Sequence, residues 1–170
     1  MNISFQNFKL LNILIIALAL VSCSTKSHEF SISKPETVEG KLKGYIDIVD
    51  QPYKLEFEKG GGIPGNDLQA IVNIKFKIIR HVDFEISSGY NKGINIDLKF
   101  LDESGLEPIS ESFGLAGKEQ DEFESYLKSG NGEKIFKMRG PQMISSESSF
   151  INKSDWSKVK FIKIFSSVKN

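Results

Sequence analysis

Apolar and polar residues alternate over a long stretch in the middle of this chain. Five apolar residues fall on successive even positions, and Asn73, Lys75 and Lys77 lie between some of them. Successive side chains of a β-strand point to opposite faces of the sheet, so a period of two predicts a strand with one buried face. The apolar positions are Ala70, Val72, Ile74, Phe76 and Ile78, and the same parity returns at Val82, Phe84 and Ile86.

One strand from 69 to 87 would be too long for an ordinary domain, because at roughly 3.3 Å per residue it would extend about 60 Å. We therefore predict a break at residues 79–81, where Arg80 takes an inward position and Ile79 an outward one. A bulge or a strand that changes sheets would explain this change of parity. A buried Arg80 that binds an anion is the alternative. His81 shares a polar face with Asp83, but no nucleophile accompanies the pair.

One short helix is predicted near residue 121. Asp121-x-x-Glu124 resembles a capping box, and Phe123, Tyr126 and Leu127 share one helical face. The following segment, 139–158, contains Gly140-Pro141 and a run of serine and glutamate, which predicts an irregular surface segment.

Alternation of the same kind predicts the remaining strands. Six or more short strands with a single helix predict an all-β domain over residues 40–170, an immunoglobulin-like β-sandwich with one short helix. A small up-and-down β-barrel is the alternative. The additional predicted strands lie near 45–49, 53–57, 94–100, 135–138 and 159–165.

The first 22 residues have the composition of a secretory signal peptide. Lys9 is cationic, and no acidic residue precedes Cys23. Residues 10–21 are apolar apart from Asn12, and these twelve positions fall short of the roughly 20 that a membrane-spanning helix needs. We therefore expect a cleaved leader over residues 1–22.

Leu20-Val21-Ser22-Cys23 ends this apolar run and contains the only cysteine of the chain. The motif resembles the lipobox of bacterial lipoproteins. The resemblance implies cleavage before Cys23, a diacylglyceryl group on its sulfur and an acylated new amino terminus. Several acyl chains together make a lasting membrane anchor, whereas a single chain binds reversibly. On the residues alone, the alternative is an ordinary buried or unpaired thiol.

Ser24 follows the lipidation position. In the sorting rule of Gram-negative lipoproteins, an aspartate at this position keeps the protein at the inner membrane, so the serine implies the outer membrane. The resemblance therefore implies a lipid-anchored outer-membrane protein that faces the periplasm or the cell surface.

The segment 23–39 is predicted to be the lipidated cysteine and a flexible tether. It is polar, rich in serine and threonine, and interrupted by Pro35. A flexible chain of some 16 residues would give roughly 20 to 25 Å of separation between lipid and domain. His28 lies in this segment and is expected to be a solvated side chain.

Charge and motifs exclude several functional classes. The chain after residue 22 has 148 residues with 21 basic and 22 acidic side chains, a formal charge of 21 − 22 = −1, so a nucleic-acid partner is not expected. Residues 60–65 are glycine-rich but lack the Gly-Lys-Ser/Thr of a phosphate-binding loop. There is no Gly-x-Ser-x-Gly motif, and the two histidines are isolated. We predict no catalytic residue, no metal site and no cofactor.

Trp156 is the only tryptophan and precedes the last predicted strand. An indole at this position is expected in the core or at its end. An exposed indole that stacks on a sugar ring is the alternative.

The strand ending FLDESG and the segment FESYLKSGNGEKIFKM at 123–138 are similar to those of immunoglobulin-like lipoproteins of Gram-negative envelopes. That resemblance implies a fold and a location but no catalytic residues. We expect a non-enzymatic interaction module whose loops meet another envelope protein or a glycan. A barrel that carries a small apolar ligand is the second hypothesis. An enzyme is the third, and it would require Arg80, His81 and a carboxylate to converge in one cleft.

Overall fold

The alternating segments form strands in a computed structural model, which describes residues 27–33, 36–60, 67–86, 93–153 and 155–169. The leader and Cys23 lie outside the described residues. The strands are β1 His28–Phe30, β2 Thr37–Gly40, β3 Ile46–Ile48, β4 Tyr53–Lys59, β5 Leu68–Ile78, β6 Gly93–Leu101, β7 Phe113–Gly114, β8 Glu133–Arg139 and β9 Phe161–Lys169. The helices are α1 Lys118–Ser129 and α2 Glu147–Lys153, with a 3-10 turn at Trp156–Lys158.

These nine strands belong to one mixed sheet. Its order is β1-β4-β5-β8-β7-β6-β9-β2, and β3 also pairs with β5. The order begins at β1 and ends at β2, so among the described strands the sheet is not closed by hydrogen bonds between its ends. Neighbouring strands are antiparallel except for β2 and β9, which are parallel. The mostly β architecture predicted from the alternation is therefore confirmed.

The predicted break after the longest strand is confirmed, and it lies at a bend where two successive N–H groups share one carbonyl acceptor. β5 ends at Ile78, and the N–H groups of Ile79 and Arg80 both donate to the Tyr45 carbonyl, at 2.9 and 3.3 Å. The chain does not resume as a strand at 82–86. Ile86 is nevertheless buried, and Val82 donates its N–H to Leu127 of α1. The apolar residues at even positions 82, 84 and 86 therefore pack against the core without forming a strand.

The segment 23–39, predicted to be a tether, contains β1 and all but the last residue of β2. β1 pairs with β4 in the register His28 with Leu55, and β2 pairs with β9 in the register Thr37 with Lys163. Phe30 is buried against the ring of Tyr53. The structure thus corrects the extent of the flexible segment, because one buried phenylalanine and strand pairing outweigh the polar composition around it.

Ser166 joins β2 to the rest of the sheet. Its hydroxyl accepts a hydrogen bond from the Leu42 N–H at 2.8 Å and donates to the Glu39 carbonyl at 2.7 Å. Gly40 has a φ of +79°, and a Cβ at that position would lie 2.0 Å from the Ser166 carbonyl oxygen. Only glycine allows this close approach of the two backbones.

Aromatic side chains fill the core between the two ends of the sheet. Phe30 of β1 packs edge-on against Phe100 of β6, with ring centroids 5.8 Å apart. A second group surrounds Phe123 of α1, whose ring lies 5.3 Å from Phe76 and 5.0 Å from Phe136. Edge-to-face contacts of this kind add to the stability from burial. The largest fully buried side chains include Phe76, Phe100, Phe113 and Phe123.

The helices differ from the prediction in two respects. α1 has the predicted buried face of Phe123, Tyr126 and Leu127, but it begins at Lys118 after Gly117, with no side-chain cap. The predicted capping box is therefore wrong, and Glu124 instead accepts a hydrogen bond from the Ile94 N–H at 3.1 Å.

The segment 139–158, predicted to be irregular, contains α2 and the 3-10 turn. Each buries one aromatic side chain, Phe150 and Trp156 respectively, which explains why they form in a polar sequence. Among the described helices, none combines the length and apolarity needed to cross a bilayer.

Candidate functional site

Arg80 lies on the surface. Its side chain is 57% exposed, its guanidinium lies 4.1 Å from the centre of the Tyr45 ring, and Nη1 lies 3.6 Å from Asp83 Oδ2. The Tyr45 hydroxyl also donates a hydrogen bond to Asp83, which lowers the pKa of that carboxyl. The alternative of a buried anion-binding arginine is therefore wrong. At the bend after Ile78, the Arg80 side chain is exposed to solvent instead.

His81 connects the same bend to the end of α1. Its Nε2 lies 2.9 Å from the Gly130 carbonyl oxygen, and the side chain is exposed. Arg80 and His81 thus contact different partners, Tyr45 and Gly130. In the described part of the chain, no group of three or more His, Cys, Asp or Glu side chains is placed to hold a metal ion.

Trp156 is a core residue, as predicted, and the sugar-stacking alternative is wrong. It is 2% exposed, and its ring centroid lies 5.1 Å from that of Phe100 and 5.4 Å from that of Phe30. Its Nε1 has no hydrogen-bond partner among the described residues. The indole therefore acts by filling space.

A cluster of polar side chains that sequence reasoning missed lines a groove on the described surface. The groove runs between the amino-terminal end of α1 and the outer face of β8, with a volume of about 710 Å³. Residues at outward positions of neighbouring strands line it, together with the first turn of α1. They include Lys59, Gln69, Glu119, Ile135, Lys137 and Arg139.

Arg139 forms hydrogen bonds with three residues in and beside this groove. Its Nη2 donates to Glu119 Oε1 at 2.8 Å, and its Nη1 donates to Gln69 Oε1 at 3.1 Å. Glu58 Oε2 lies 3.4 Å from the same Nη1, and Lys137 also donates to Glu58. Arginine offers donors in a planar fork, so it can hold several acceptors at once. This network joins β4, β5, β8 and α1.

Strand pairing explains both the network and the buried residue beneath it. Arg139 pairs across the strands with Ile71, and Ile71 pairs with Glu56 on its other side. Ile71 is fully buried although it lies on the polar face of β5. The apolar stems of long charged side chains can cover such a position. Strand alternation alone predicts that Glu58, Lys137 and Arg139 point outward. Their proximity depends on how β4 and β8 pair with β5, which the sequence pattern does not give.

The charges of the network alter the acidity of its carboxylates. The hydrogen bond from Arg139 lowers the pKa of Glu119. The hydrogen bond from Lys137 and its charge, and then the charge of Arg139, lower the pKa of Glu58. Both carboxylates stay ionised over a wider pH range than in an unfolded chain. Beside these charges the groove exposes one large apolar side chain, Ile135, at 53%.

Replacing Arg139 by methionine should destabilise the protein in a pH-dependent manner. Near pH 7 we expect a loss of about 1–3 kcal/mol, because Glu58 and Glu119 lose a charged donor. Carboxylates with a lowered folded-state pKa stabilise the fold above their unfolded pKa, and this contribution disappears as the pH falls through the folded pKa. The difference between wild type and Arg139→Met should therefore shrink on acidification below about pH 4. Urea unfolding at several pH values measures it.

Lys134→Met provides the matched control for this prediction. Lys134 pairs with Glu122 at 3.2 Å, but both side chains are largely exposed. Exposed ion pairs contribute at most about 1 kcal/mol. An effect of Arg139→Met no larger than that of the control, or one independent of pH, would contradict the role assigned to the network.

Comparison with known proteins adds no relative to this description. No family model, curated protein or solved structure matches the chain.

Proposed function

We propose that this chain is a bacterial lipoprotein, anchored in the outer membrane through acyl groups on Cys23, whose domain is a non-enzymatic interaction module. The observation that carries the anchor is Leu20-Val21-Ser22-Cys23 at the end of a twelve-residue apolar run, after a cationic start. A leader with these parts directs secretion. Several acyl chains then hold an otherwise water-soluble domain at the bilayer.

The Arg139 groove supports an interaction role for the domain. It is open and lined by charges of both signs, with Gln69 and the exposed Ile135 beside them. A mixture of hydrogen-bonding groups with an apolar contact suits the polar surface of a protein or a glycan. The partner that we propose is therefore another envelope component.

For the architecture, we propose an immunoglobulin-like sandwich. Between β8 and β6, the order of the sheet passes only through β7, which has two residues. Phe30 and Phe100, from opposite parts of that order, nevertheless pack together. Two layers facing across a shared core account for both observations. An up-and-down barrel is less well supported, because its strands would follow chain order, whereas β2 runs parallel to β9.

A carrier of a small apolar ligand is less well supported than an interaction module. Such a carrier needs space lined by inward apolar side chains. In the described core, Phe76, Phe123 and Phe136 contact one another, and Trp156 packs between Phe30 and Phe113. These rings occupy the space that a ligand would need.

Cross-linking in intact envelopes tests the interaction role. The lipidated protein is expected to capture a protein or glycan, and Ile135→Glu should reduce that capture severalfold by placing a charge in the groove. Leu106→Glu changes a similarly exposed apolar residue outside the groove and should leave capture unchanged. Equal capture by the wild type, Ile135→Glu and Leu106→Glu would exclude the groove as the binding surface. Recovery of lipid alone would contradict the interaction role.

A further inference from the structure

One end of the domain exposes the apolar side chain of Met143, whose backbone conformation is unfavourable for this residue type. Met143 is 76% exposed and has a φ of +62°, and it is the only non-glycine residue with positive φ in the described part of the chain. Side chains with a Cβ adopt this region at a cost, and glycine or asparagine would do so more cheaply. Folding alone therefore does not account for a methionine at this turn.

Backbone pairing places Met143 at one defined end of the sheet. Ile144 exchanges hydrogen bonds with Leu68, the first residue of β5, at 2.9 and 3.0 Å. Leu68 pairs on its other side with Lys59, the last residue of β4. Met143 thus lies at the end of the sheet where β4 finishes and β5 begins, with β5 between it and Lys59.

β1 enters the sheet from the same end. It is antiparallel to β4, with His28 opposite Leu55 and Phe30 opposite Tyr53. The amino-terminal end of β1 is therefore directed towards Lys59. Because only five peptide units separate Cys23 from His28, the Cα atoms of these residues can be at most about 18 Å apart.

That distance bound distinguishes the two ends of the sheet. His28 lies level with Leu55 and hence with Val72 of β5. Along β5, Leu68 is four residues from Val72, a distance of about 13 Å, and Leu68 pairs with the neighbour of Met143. In the other direction, Ile78 is six residues away, or about 20 Å, and Ile79 follows it. The acylated residue can reach the level of Met143 but not that of Ile79.

We propose that the Met143 end of the domain rests on the bilayer and that Met143 enters its headgroup region. The proposal depends on lipidation of Cys23, the anchor proposed above. A long, flexible and apolar methionine side chain fits between lipid headgroups. The bilayer is the occupant because the short connection from Cys23 leaves this end within its reach.

Site-specific fluorescence tests the orientation in the full, lipidated protein. Lipidation occupies the sulfur of Cys23, so a cysteine introduced by Met143→Cys is the single reactive thiol. Labelled with the polarity-sensitive fluorophore NBD, the protein is reconstituted into phosphatidylethanolamine and phosphatidylglycerol vesicles. We expect a blue shift on membrane binding and loss of emission when nitroxide-labelled lipid is included.

Ile79→Cys is the matched control, because Ile79 is also an exposed apolar residue, 52% accessible, at the opposite end of β5. Its label should show neither effect. Gln142→Cys, at the neighbouring exposed position, replaces Met143→Cys if circular dichroism shows that variant to be unfolded.

The outcomes separate the orientation from the anchor. If the protein floats with vesicles but lipid nitroxide quenches both labels equally or neither of them, the proposed orientation is wrong and the anchor stands. If the wild-type protein purified from its envelope carries no lipid and does not float, the anchor is wrong and the orientation falls with it.

Discussion

Replacement of Cys23 by serine is expected to abolish acylation and to remove the protein from the outer membrane. The hydroxyl of serine does not substitute for the thiol to which the resemblance assigns the diacylglyceryl group. Each buried methylene contributes about 0.8 kcal/mol to membrane binding, so loss of all the acyl chains eliminates the anchor. Incorporation of labelled palmitate should fall to background, and the acyl mass should be absent from the intact protein.

Ser22→Ala is the control for this substitution. Alanine keeps a small residue next to the scissile bond, so cleavage and acylation should proceed as in the wild type. Mass spectrometry of native wild-type protein provides the decisive comparison. A free thiol at residue 23, or a leader that remains attached, would refute the anchor directly.

Replacement of Trp156 by alanine is expected to lower the free energy of unfolding by about 3–5 kcal/mol, the usual range for a large buried aromatic residue. The indole contacts the rings of Phe30, Phe100, Phe113 and Phe150. These rings come from β1, β6, β7 and α2, so a cavity at Trp156 weakens contacts among four elements. Urea denaturation followed by circular dichroism measures the loss.

Two further variants show whether volume or polarity is responsible. Trp156→Phe should cost less than Trp156→Ala, because much of the ring volume remains and Nε1 has no hydrogen bond to any described residue. Leu106→Ala, at an exposed position, should change the stability by no more than about 0.5 kcal/mol. A loss below about 1 kcal/mol for Trp156→Ala would contradict its place in the core.

Strands with one buried face were predictable because their side chains repeat every two residues. The buried apolar positions of β4 and β6 follow this rule, as do those of β5 except Ile71, and the break after Ile78 was visible as a change of parity. Local patterns failed where a few long-range contacts outweigh composition. β1 forms around the buried Phe30, and α2 forms around the buried Phe150 within a run of serine and glutamate.

The capping box failed for a related reason. Asp121-x-x-Glu124 has the expected spacing, but α1 begins three residues before Asp121, at Lys118. Glu124 accepts hydrogen bonds from the Ile94 N–H of β6, at 3.1 Å, and from the Gln120 side chain of its own helix, at 2.8 Å. The local motif therefore did not determine the partners of Glu124, because a neighbouring strand supplies an N–H donor.

The sequence by itself determined the mostly β architecture and the proposed lipid attachment at Cys23, because periodicity and leader composition are local properties. Only the tertiary structure brought Glu58, Gln69, Glu119 and Arg139 into one groove and placed Met143 at the end of the sheet from which β1 enters. These arrangements depend on strand order and register. They arise from contacts between residues far apart in the chain, so no short stretch of residues encodes them.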